Sequence, residues 1–392
     1  MPSDLSTWLI SVPRDGDTEG LVQEIGTKFA QGKALPESHF AQLEVPSLKT
    51  GTLDLLVTLS EELAKHDSFF TSAVAKVVDT LRNLLNNDPE RLSQHTLVEE
   101  KSIDDYLLGG WKWNSSKYGT QRGLRDVVDV LVKEMTSIDN VMKSRLNNYN
   151  IAKGTLNQLQ RRNTGNLSTR SLVNVVMKEH VTESEYLETI FVAVPKNMAN
   201  DWNSKYERFA SMVVPRSSEK IAQDDSFVLF KAVVFRKTRD QFSQKCRENK
   251  FVVRDFTFQD DLLAKTNTEL QAAEITEKEL WSELLRVARI NFSEAFQILV
   301  HLKIVRLFVE SVLRYGLPAN YTGLIIKPDP KTIKRTLSVL TTHLSFLASK
   351  SDRKRAKGAS DTDYAAAGGE YQSLMEQEYF DFVLFEVPWV VT

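Results

Sequence analysis

The feature that most restricts how this chain can fold is a long repeat of apolar residues between positions 124 and 159. They recur at alternating intervals of four and three residues, as the a and d positions of a heptad do, with Arg145 as an interruption and Ala152 as a weak position. The full series is Leu124, Val128, Leu131, Met135, Ile138, Met142, Arg145, Tyr149, Ala152, Leu156 and Leu159. A helix of about 40 residues would be about 60 Å long. We therefore expect this helix to project from a compact domain.

A second helical pattern runs over residues 260–314. Its clearest positions are Leu280, Leu284, Val287, Asn291, Ile298, Leu302, Val305, Val309 and Val312. An amphipathic helix of this length needs a partner for its apolar stripe. The simplest partner is the first long helix, running antiparallel to it in a two-helix stalk. Two independent helices in an ordinary bundle are the open alternative.

The segment between the two helical patterns has a different character. Its predicted order is strand, helix, strand, strand, helix, strand, which is the order of a split βαβ, ferredoxin-like unit. The predicted strands cover 186–194, a segment beginning at 212–214, 227–236 and 251–258, and the predicted helices cover 199–211 and 238–248. This segment therefore predicts an inserted α/β domain.

Short apolar strands are predicted near both ends of the chain, at 7–13, 40–46, 323–327 and 379–387. Helical spacing predicts one bent helix or two helices over 52–86 and another helix over 332–347. We expect the last strand to join the first ones in one sheet, so that the two ends of the chain form one domain.

The predicted fold class is α+β and elongated, with three parts. We expect a foot domain at 1–121 with 292–392, an antiparallel helical neck at 122–163 and 259–291, and an α/β head at 164–258. The head and the foot are expected to fold as separable units.

Composition excludes several classes of function. The formal net charge of −2 argues against nucleic-acid binding driven by bulk charge. The single cysteine, Cys246, permits no internal disulfide and suits a reducing compartment such as the cytosol. No uncharged apolar stretch approaches the ~20 residues that span a bilayer. We therefore expect membrane association only through a partner, without direct insertion.

Motifs for catalysis or cofactor binding are not found in the sequence. There is no phosphate-binding loop, no dinucleotide-binding glycine pattern and no nucleophile elbow. None of the six histidines lies within five residues of another, so no helical metal pair is formed, and His301 is expected to be packed or solvated. Lys245 and Arg247 could lower the pKa of Cys246, although an ordinary free thiol is the simpler interpretation. We expect no cofactor, no metal and no catalytic residue.

Two basic groups are candidates for partner contacts. Arg161, Arg162 and Arg170 flank the predicted end of the first long helix, where cations also favour the helix C-terminus, so a purely structural role stays open. The second group lies in a segment rich in Gly, Ala and Ser and consists of Lys350, Arg353, Lys354, Arg355 and Lys357. A solvated loop is the default there, and an electrostatic contact with acidic protein, a filament or anionic lipid is the alternative.

Several segments carry a resemblance to one family. They include Trp-Leu-Ile-Ser-Val-Pro at 8–13, Asn-Thr-Gly-Asn-Leu-Ser-Thr-Arg-Ser-Leu at 163–172, Phe-Val-Ala-Val-Pro-Lys at 191–196 and Val-Glu-Ser-Val-Leu-Arg-Tyr-Gly-Leu-Pro at 309–318. Together they resemble the C subunit of the V-type proton-pumping ATPase, over roughly residues 5 to 390. Lys196, at the end of the third segment, joins the expected partner-binding bases.

The resemblance implies a non-catalytic stator and regulatory component with a foot, neck and head. Its head would bind one peripheral-stalk heterodimer of the E and G subunits. The foot would bind a second E–G stalk and the N-terminal domain of the membrane a subunit. Such a component would resist rotor torque and take part in reversible assembly of the catalytic and membrane sectors, on the cytosolic face of vacuolar and other endomembranes. Actin is a further implied partner. A coiled-coil tethering or trafficking adaptor is the alternative function.

Overall fold

Two four-stranded antiparallel sheets and a set of helices form the described chain, which confirms the α+β class expected from the sequence. The structure, a computed structural model, describes residues 5–13, 18–32, 34–182, 184–257, 262–318, 320–347 and 380–389. Packing divides the chain into unit 1, which is Met1–Leu146 with Leu284–Thr392, and unit 2, which is Asn147–Glu283.

The helices are α1 Thr18–Gln31, α2 Leu53–Leu84, α3 Pro89–His95, α4 Ile103–Leu108, α5 Leu124–Thr164, α6 Ala199–Lys205, α7 Arg239–Glu248, α8 Leu262–Tyr315 and α9 Ile333–His343. The strands are β1 Ser6–Pro13, β2 Phe40–Leu43, β3 Leu187–Pro195, β4 Glu219–Gln223, β5 Phe227–Phe235, β6 Val252–Arg254, β7 Tyr321–Ile326 and β8 Val383–Pro388. Both long helices expected from apolar spacing are confirmed, and the pattern over 52–86 forms a single helix, α2.

The sheet of unit 1 has the order β2-β7-β1-β8, and every neighbouring pair is antiparallel. Strand β8 pairs with β1, so the expectation that the two ends of the chain share one sheet is confirmed. Trp8, Ile10 and Val12 alternate along β1 onto one face and pack against helices α1 and α9. Helix α1, to which the sequence analysis made no assignment, contributes the buried Ile25 and Phe29.

The second half of α8 forms the centre of unit 1. From Asn291 to Val312 most of its side chains are buried on all sides, as expected of a helix that is apolar around its circumference. Two buried charges and one half-buried charge lie with it. Lys303 Nζ lies 2.7 Å from Asp67 Oδ1 of α2, and Arg306 binds the other carboxylate oxygen. This paired network fixes the register of α2 against α8.

The apolar stripe of α5 continues through the interruption expected at Arg145. The side chain of Arg145 is exposed, and Leu146 is half-buried in its place, between the buried Met142 and Tyr149. The series 142, 146, 149 keeps the stripe on one side because a helix has 3.6 residues per turn. Arg145 itself is therefore off the stripe, as the sequence indicated, and one step of the repeat moves by one residue to Leu146.

Unit 2 is built on the sheet β4-β5-β3-β6, all antiparallel. Strands β3 and β4 flank helix α6 in the chain but have β5 between them, which confirms the split βαβ order. The strand expected to begin at 212–214 was misplaced, because only Val213 forms a bridge there and the strand is β4. Pro215 lacks an N–H donor and Arg216 has a φ of 55°, so the ladder cannot continue directly.

Candidate partner-binding surfaces

Helix α5 ends in unit 2 at a tightly packed turn. The N–H of Gly165 donates to the carbonyl of Arg161 over 3.0 Å, and the N–H of Ser171 donates to the carbonyl of Arg162. A Cβ atom on Gly165 would meet Thr169 Oγ1 at 2.9 Å and the Arg161 carbonyl at 3.1 Å. Glycine at this position therefore lets the following loop fold back against the helix end.

Asp224 holds this loop to the turn between β4 and β5. Its carboxylate accepts from the N–H of Leu167 over 2.6 Å and from the N–H groups of Ser226 and Phe227. Burial opposes ionisation of Asp224, but the three backbone donors, with Arg170 nearby, outweigh it and lower its pKa. The sequence analysis made no assignment to Asp224. The signal it missed is an Asp three residues before the next strand, which suits an Asx-turn.

Arg254 of β6 holds the same loop from the other side. Its guanidinium donates to the carbonyl of Ser168, to that of Thr169 over 3.4 Å and to that of Arg170 over 2.6 Å. Five donors in a fixed fork allow one arginine to bind several carbonyls. The loop that carries the expected basic residues is therefore rigidly placed.

Four of the expected bases lie around this loop, all in unit 2. Arg161 and Arg162 are exposed and line an open depression of about 460 Å³ together with Gly154, Asn157, Gln158 and Thr169. Arg170 is half-buried and faces Asp224. Lys196 is exposed, and its backbone N–H donates to the carbonyl of Ser226 over 2.9 Å. The turn at 224–226 thus contacts the backbone of Lys196 and carries the carboxylate that Arg170 faces.

The second expected basic group, Lys350, Arg353, Lys354, Arg355 and Lys357, lies outside the described residues. Its contact with an acidic partner stays a prediction from the sequence.

His301 lies in unit 1 among the rings of Trp111, Trp113 and Tyr118, whose centroids are 5.1, 4.9 and 4.8 Å from its own. Its Nδ1 is 2.7 Å from the carbonyl of Gln297, and its Nε2 accepts from the backbone N–H of Asn114 over 3.3 Å. Both ring nitrogens are therefore used by a neutral imidazole with its proton on Nδ1. Burial lowers the pKa of His301 to about 4. It is a packed histidine, one of the two roles expected.

Cys246 packs in the core of unit 2 and is fully buried. Burial raises the pKa of its thiol to about 12, so the lowering considered from Lys245 and Arg247 is corrected. The side chains of Lys245 and Arg247 lie on the exposed side of α7, whereas Cys246 faces the core, and burial is the cause of the raised pKa. The thiol is an ordinary core side chain.

Metal ligands and membrane spans were also sought. Among the residues that the structure describes, no group of three or more His, Cys, Asp or Glu side chains could hold a metal ion. Within the same ranges, none of the helices combines the length and the apolar character needed to cross a bilayer.

Comparison with known proteins gives one consistent result. The family model described as the V-ATPase C subunit matches residues 7–383. The V-type proton ATPase C 1 subunit of Xenopus tropicalis is 37% identical over 381 residues, covering 97% of each chain. The C 1 subunit of Bos taurus and the C 1-A subunit of Danio rerio are each 36% identical with the same coverage. One solved structure that matches is the cytoplasmic N-terminal domain of the I subunit of V-ATPase, a homolog of the a subunit. The match has 12% identity and a TM-score of 0.33, and it covers 87% of this chain and 98% of that one. A similarity this low supports no inference.

Proposed function

Because this chain belongs to the V-ATPase C-subunit family, we propose that it is a stator component that braces the peripheral stalks of the proton pump. As a member of the family it is a non-catalytic component that works together with other V-ATPase subunits. In our proposal it bridges two E–G heterodimers and the N-terminal domain of the membrane a subunit. It lies on the cytosolic face of vacuolar and other endomembranes and takes part in reversible assembly of the two sectors.

The observation that carries this proposal is the presence of two units with separate cores. Unit 1 has its own sheet with a core around Trp8 and Phe29, and unit 2 has its own sheet with a core around Trp202 and Phe242. Two independent cores support two independent binding ends, because each surface is held by its own packing. A bridging protein needs two such ends.

The connection between the units supports a mechanical role. Helix α5 begins in unit 1 and ends in unit 2, and α8 runs from unit 2 back into unit 1, each as one continuous helix. Within unit 2 the two helices contact each other, and the hydroxyl of Tyr149 bonds the carboxylate of Glu277. Continuous hydrogen-bonded helices resist bending better than loops do, so a load applied to one unit is transmitted to the other. The foot, neck and head boundaries given above stay our proposed division.

The basic residues of unit 2 support an acidic partner. Arg161 and Arg162 are exposed on a rigidly placed loop junction, and Lys196 is exposed beside it. An excess of positive charge raises the association rate with an acidic surface and makes that rate sensitive to salt. We propose that these bases guide such a surface to unit 2.

The test of the proposed function is reconstitution with purified partners. The full chain is mixed with an E–G heterodimer and with the N-terminal domain of the a subunit, and complexes are separated by size-exclusion chromatography with light scattering. The proposal expects stable complexes with each partner. A full chain that is folded and yet binds neither would refute it, and co-purification with vesicle-tethering proteins instead would favour the adaptor function.

A further inference from the structure

Tyr186 of unit 2 differs from the other tyrosines of the described chain. Its side chain is 66% exposed, whereas the others are buried or half-buried and the hydroxyl of each has a protein hydrogen-bond partner. These others are Tyr106, Tyr118, Tyr149, Tyr206, Tyr315 and Tyr321. Within the described residues the hydroxyl of Tyr186 has no such partner. Among these tyrosines, Tyr186 is therefore the one that a modifying enzyme reaches without unfolding the chain.

The backbone around Tyr186 is also accessible. Residues 184–186 form neither helix nor strand and lead directly into β3. On one side β3 pairs with β5 along its whole length, but on the other side β6 pairs with it only from Phe191 to Ala193. From Leu187 to Ile190, no strand of the described chain pairs with β3 on that second side. An enzyme that binds its substrate as an extended segment can approach along this open edge.

The residues next to Tyr186 are those that an acid-preferring tyrosine kinase selects. Glu185 precedes it and is exposed, Glu188 follows two residues later and is half-buried, and the apolar Leu187 comes directly after it. Kinases distinguish their substrates in part by the pattern of charges around the acceptor residue. The flanking charges of Tyr186 therefore favour a kinase with a basic substrate cleft.

Arg236 lies directly opposite Tyr186. Leu187 pairs with Phe235 at the end of the β3–β5 ladder, and one step further out the N–H of Arg236 donates to the carbonyl of Tyr186 over 3.0 Å. Residues opposite each other in antiparallel strands project their side chains on the same face. The guanidinium of Arg236 reaches the same segment and donates to the carbonyl of Ser184 over 3.1 Å. In the part of the chain that the structure describes, Arg236 pairs with no carboxylate, so its charge is available to an anion.

We propose that Tyr186 is a phosphorylation site for a tyrosine kinase and that Arg236 binds the phosphate. The phenol oxygen attacks the γ-phosphorus of ATP, the bond from that phosphorus to the β–γ bridging oxygen breaks, and ADP leaves. The phenol proton passes to the catalytic base of the kinase. The phosphate adds a charge of about −1.5 to −2 at pH 7, and a guanidinium binds such a group through two parallel hydrogen bonds. This inference goes beyond the proposed function and does not depend on it.

Phosphorylation of the folded full chain tests the site. The chain is incubated with ATP and a purified tyrosine kinase domain that phosphorylates a glutamate–tyrosine copolymer, and tandem mass spectrometry identifies the modified residues. We expect phosphate on Tyr186 and its loss from this peptide in Tyr186→Phe. Glu185→Lys should slow the reaction at Tyr186 several-fold, because it places a positive charge where the kinase binds a negative one. Glu179→Lys is the matched control, an exposed acidic residue of the same unit outside this segment, and should leave the rate unchanged.

The role of Arg236 is tested on the phosphorylated chain by phosphorus NMR. A nearby guanidinium favours the dianion, so the pKa of the phosphate should be lower in the unchanged chain than in Arg236→Gln by about 0.5 or more. Equal values would show that Arg236 does not bind the phosphate.

Three results would overturn the assignment of the site. The kinase could modify the copolymer and leave Tyr186 of the folded chain unmodified, or it could modify Tyr186 only after the chain is unfolded in urea. Equal slowing by Glu185→Lys and Glu179→Lys would show that the acidic residue beside Tyr186 is not recognised. Thermal unfolding of each variant should match that of the unchanged chain, because every replaced side chain is exposed.

Discussion

His301 should make unit 1 sensitive to mild acid. Its imidazole is buried and neutral, and burial lowers its pKa from 6.5 to about 4. In the unfolded chain the same group has an ordinary pKa, so between pH 6.5 and pH 4 the unfolded state binds more protons than the folded state. The free energy of unfolding must therefore fall as the pH falls through this window. Above about pH 7 His301 is unprotonated in both states, so its contribution to the free energy of unfolding no longer changes with pH.

The size of this loss in the free energy of unfolding follows from the pKa of His301 in the unfolded and in the folded state. With one pKa unit equal to about 1.4 kcal/mol, the loss between pH 7 and pH 5 is about 2 kcal/mol and approaches about 3 kcal/mol near pH 4. Lys117 and Glu134 face the imidazole and have opposite effects on its pKa, so burial stays the main cause. A loss of this size is a large part of the stability of an ordinary domain.

Urea unfolding at a series of pH values, followed by tryptophan fluorescence, measures the effect. His301→Gln cannot titrate and keeps a donor and an acceptor for Gln297 and Asn114. We expect it to be less stable than the unchanged chain at pH 7, because it loses ring contacts, but to lose about 2 kcal/mol less between pH 7 and pH 5. The control is His180→Gln, which replaces a half-buried histidine of unit 2. Equal pH dependence in the unchanged chain and in His301→Gln would refute the reasoning.

Three further predictions concern other sites. Glu99 and Glu100 occupy a two-residue turn with φ values of 50° and 64°. Asn and Gly are favoured at such positive φ values, so E99N/E100G should stabilise the chain by about 1 kcal/mol. Thermal unfolding measures this, and a lower Tm would contradict it. Asp224→Ala leaves three backbone N–H groups without their acceptor and should destabilise unit 2 by about 1–3 kcal/mol, seen as faster hydrogen exchange at 163–172; unchanged protection would refute it. R161E/R162E should slow association with E–G several-fold at low salt, and a salt-independent loss would argue against steering.

The spacing of apolar residues predicted the long helices well, because many residues in each helix follow the same periodicity. The apolar spacing is repeated many times along α5, from Leu124 to Leu159, and along α8, from Leu280 to Val312. A single exception, Arg145, therefore shifts the apolar stripe by one residue locally and does not change the helix prediction. Helix α1 was not assigned, since only a few apolar residues such as Ile25 and Phe29 mark it. Strand β4 was misplaced because its few half-buried residues carry a weaker signal than Val213 and Val214.

The candidate surfaces were less predictable, because they depend on contacts between residues far apart in the chain. Arg161 and Arg162 could be found from their position at a helix end. Nothing local indicates that Asp224 binds the N–H of Leu167, 57 residues away, or that Arg254 binds carbonyls at 168–170. The exposure of Phe235 is likewise invisible in the sequence, since it is known only once β3 and β5 have paired.

Stoichiometry is the most direct test of the central claim that the two units bind separate partners at once. The full chain, an excess of E–G heterodimer and the N-terminal domain of the a subunit can be assembled and weighed by native mass spectrometry. We predict a complex in which one chain holds two E–G heterodimers together with the a-subunit domain. A chain that binds only one partner at a time, with E–G and the a-subunit domain displacing each other, would contradict the account.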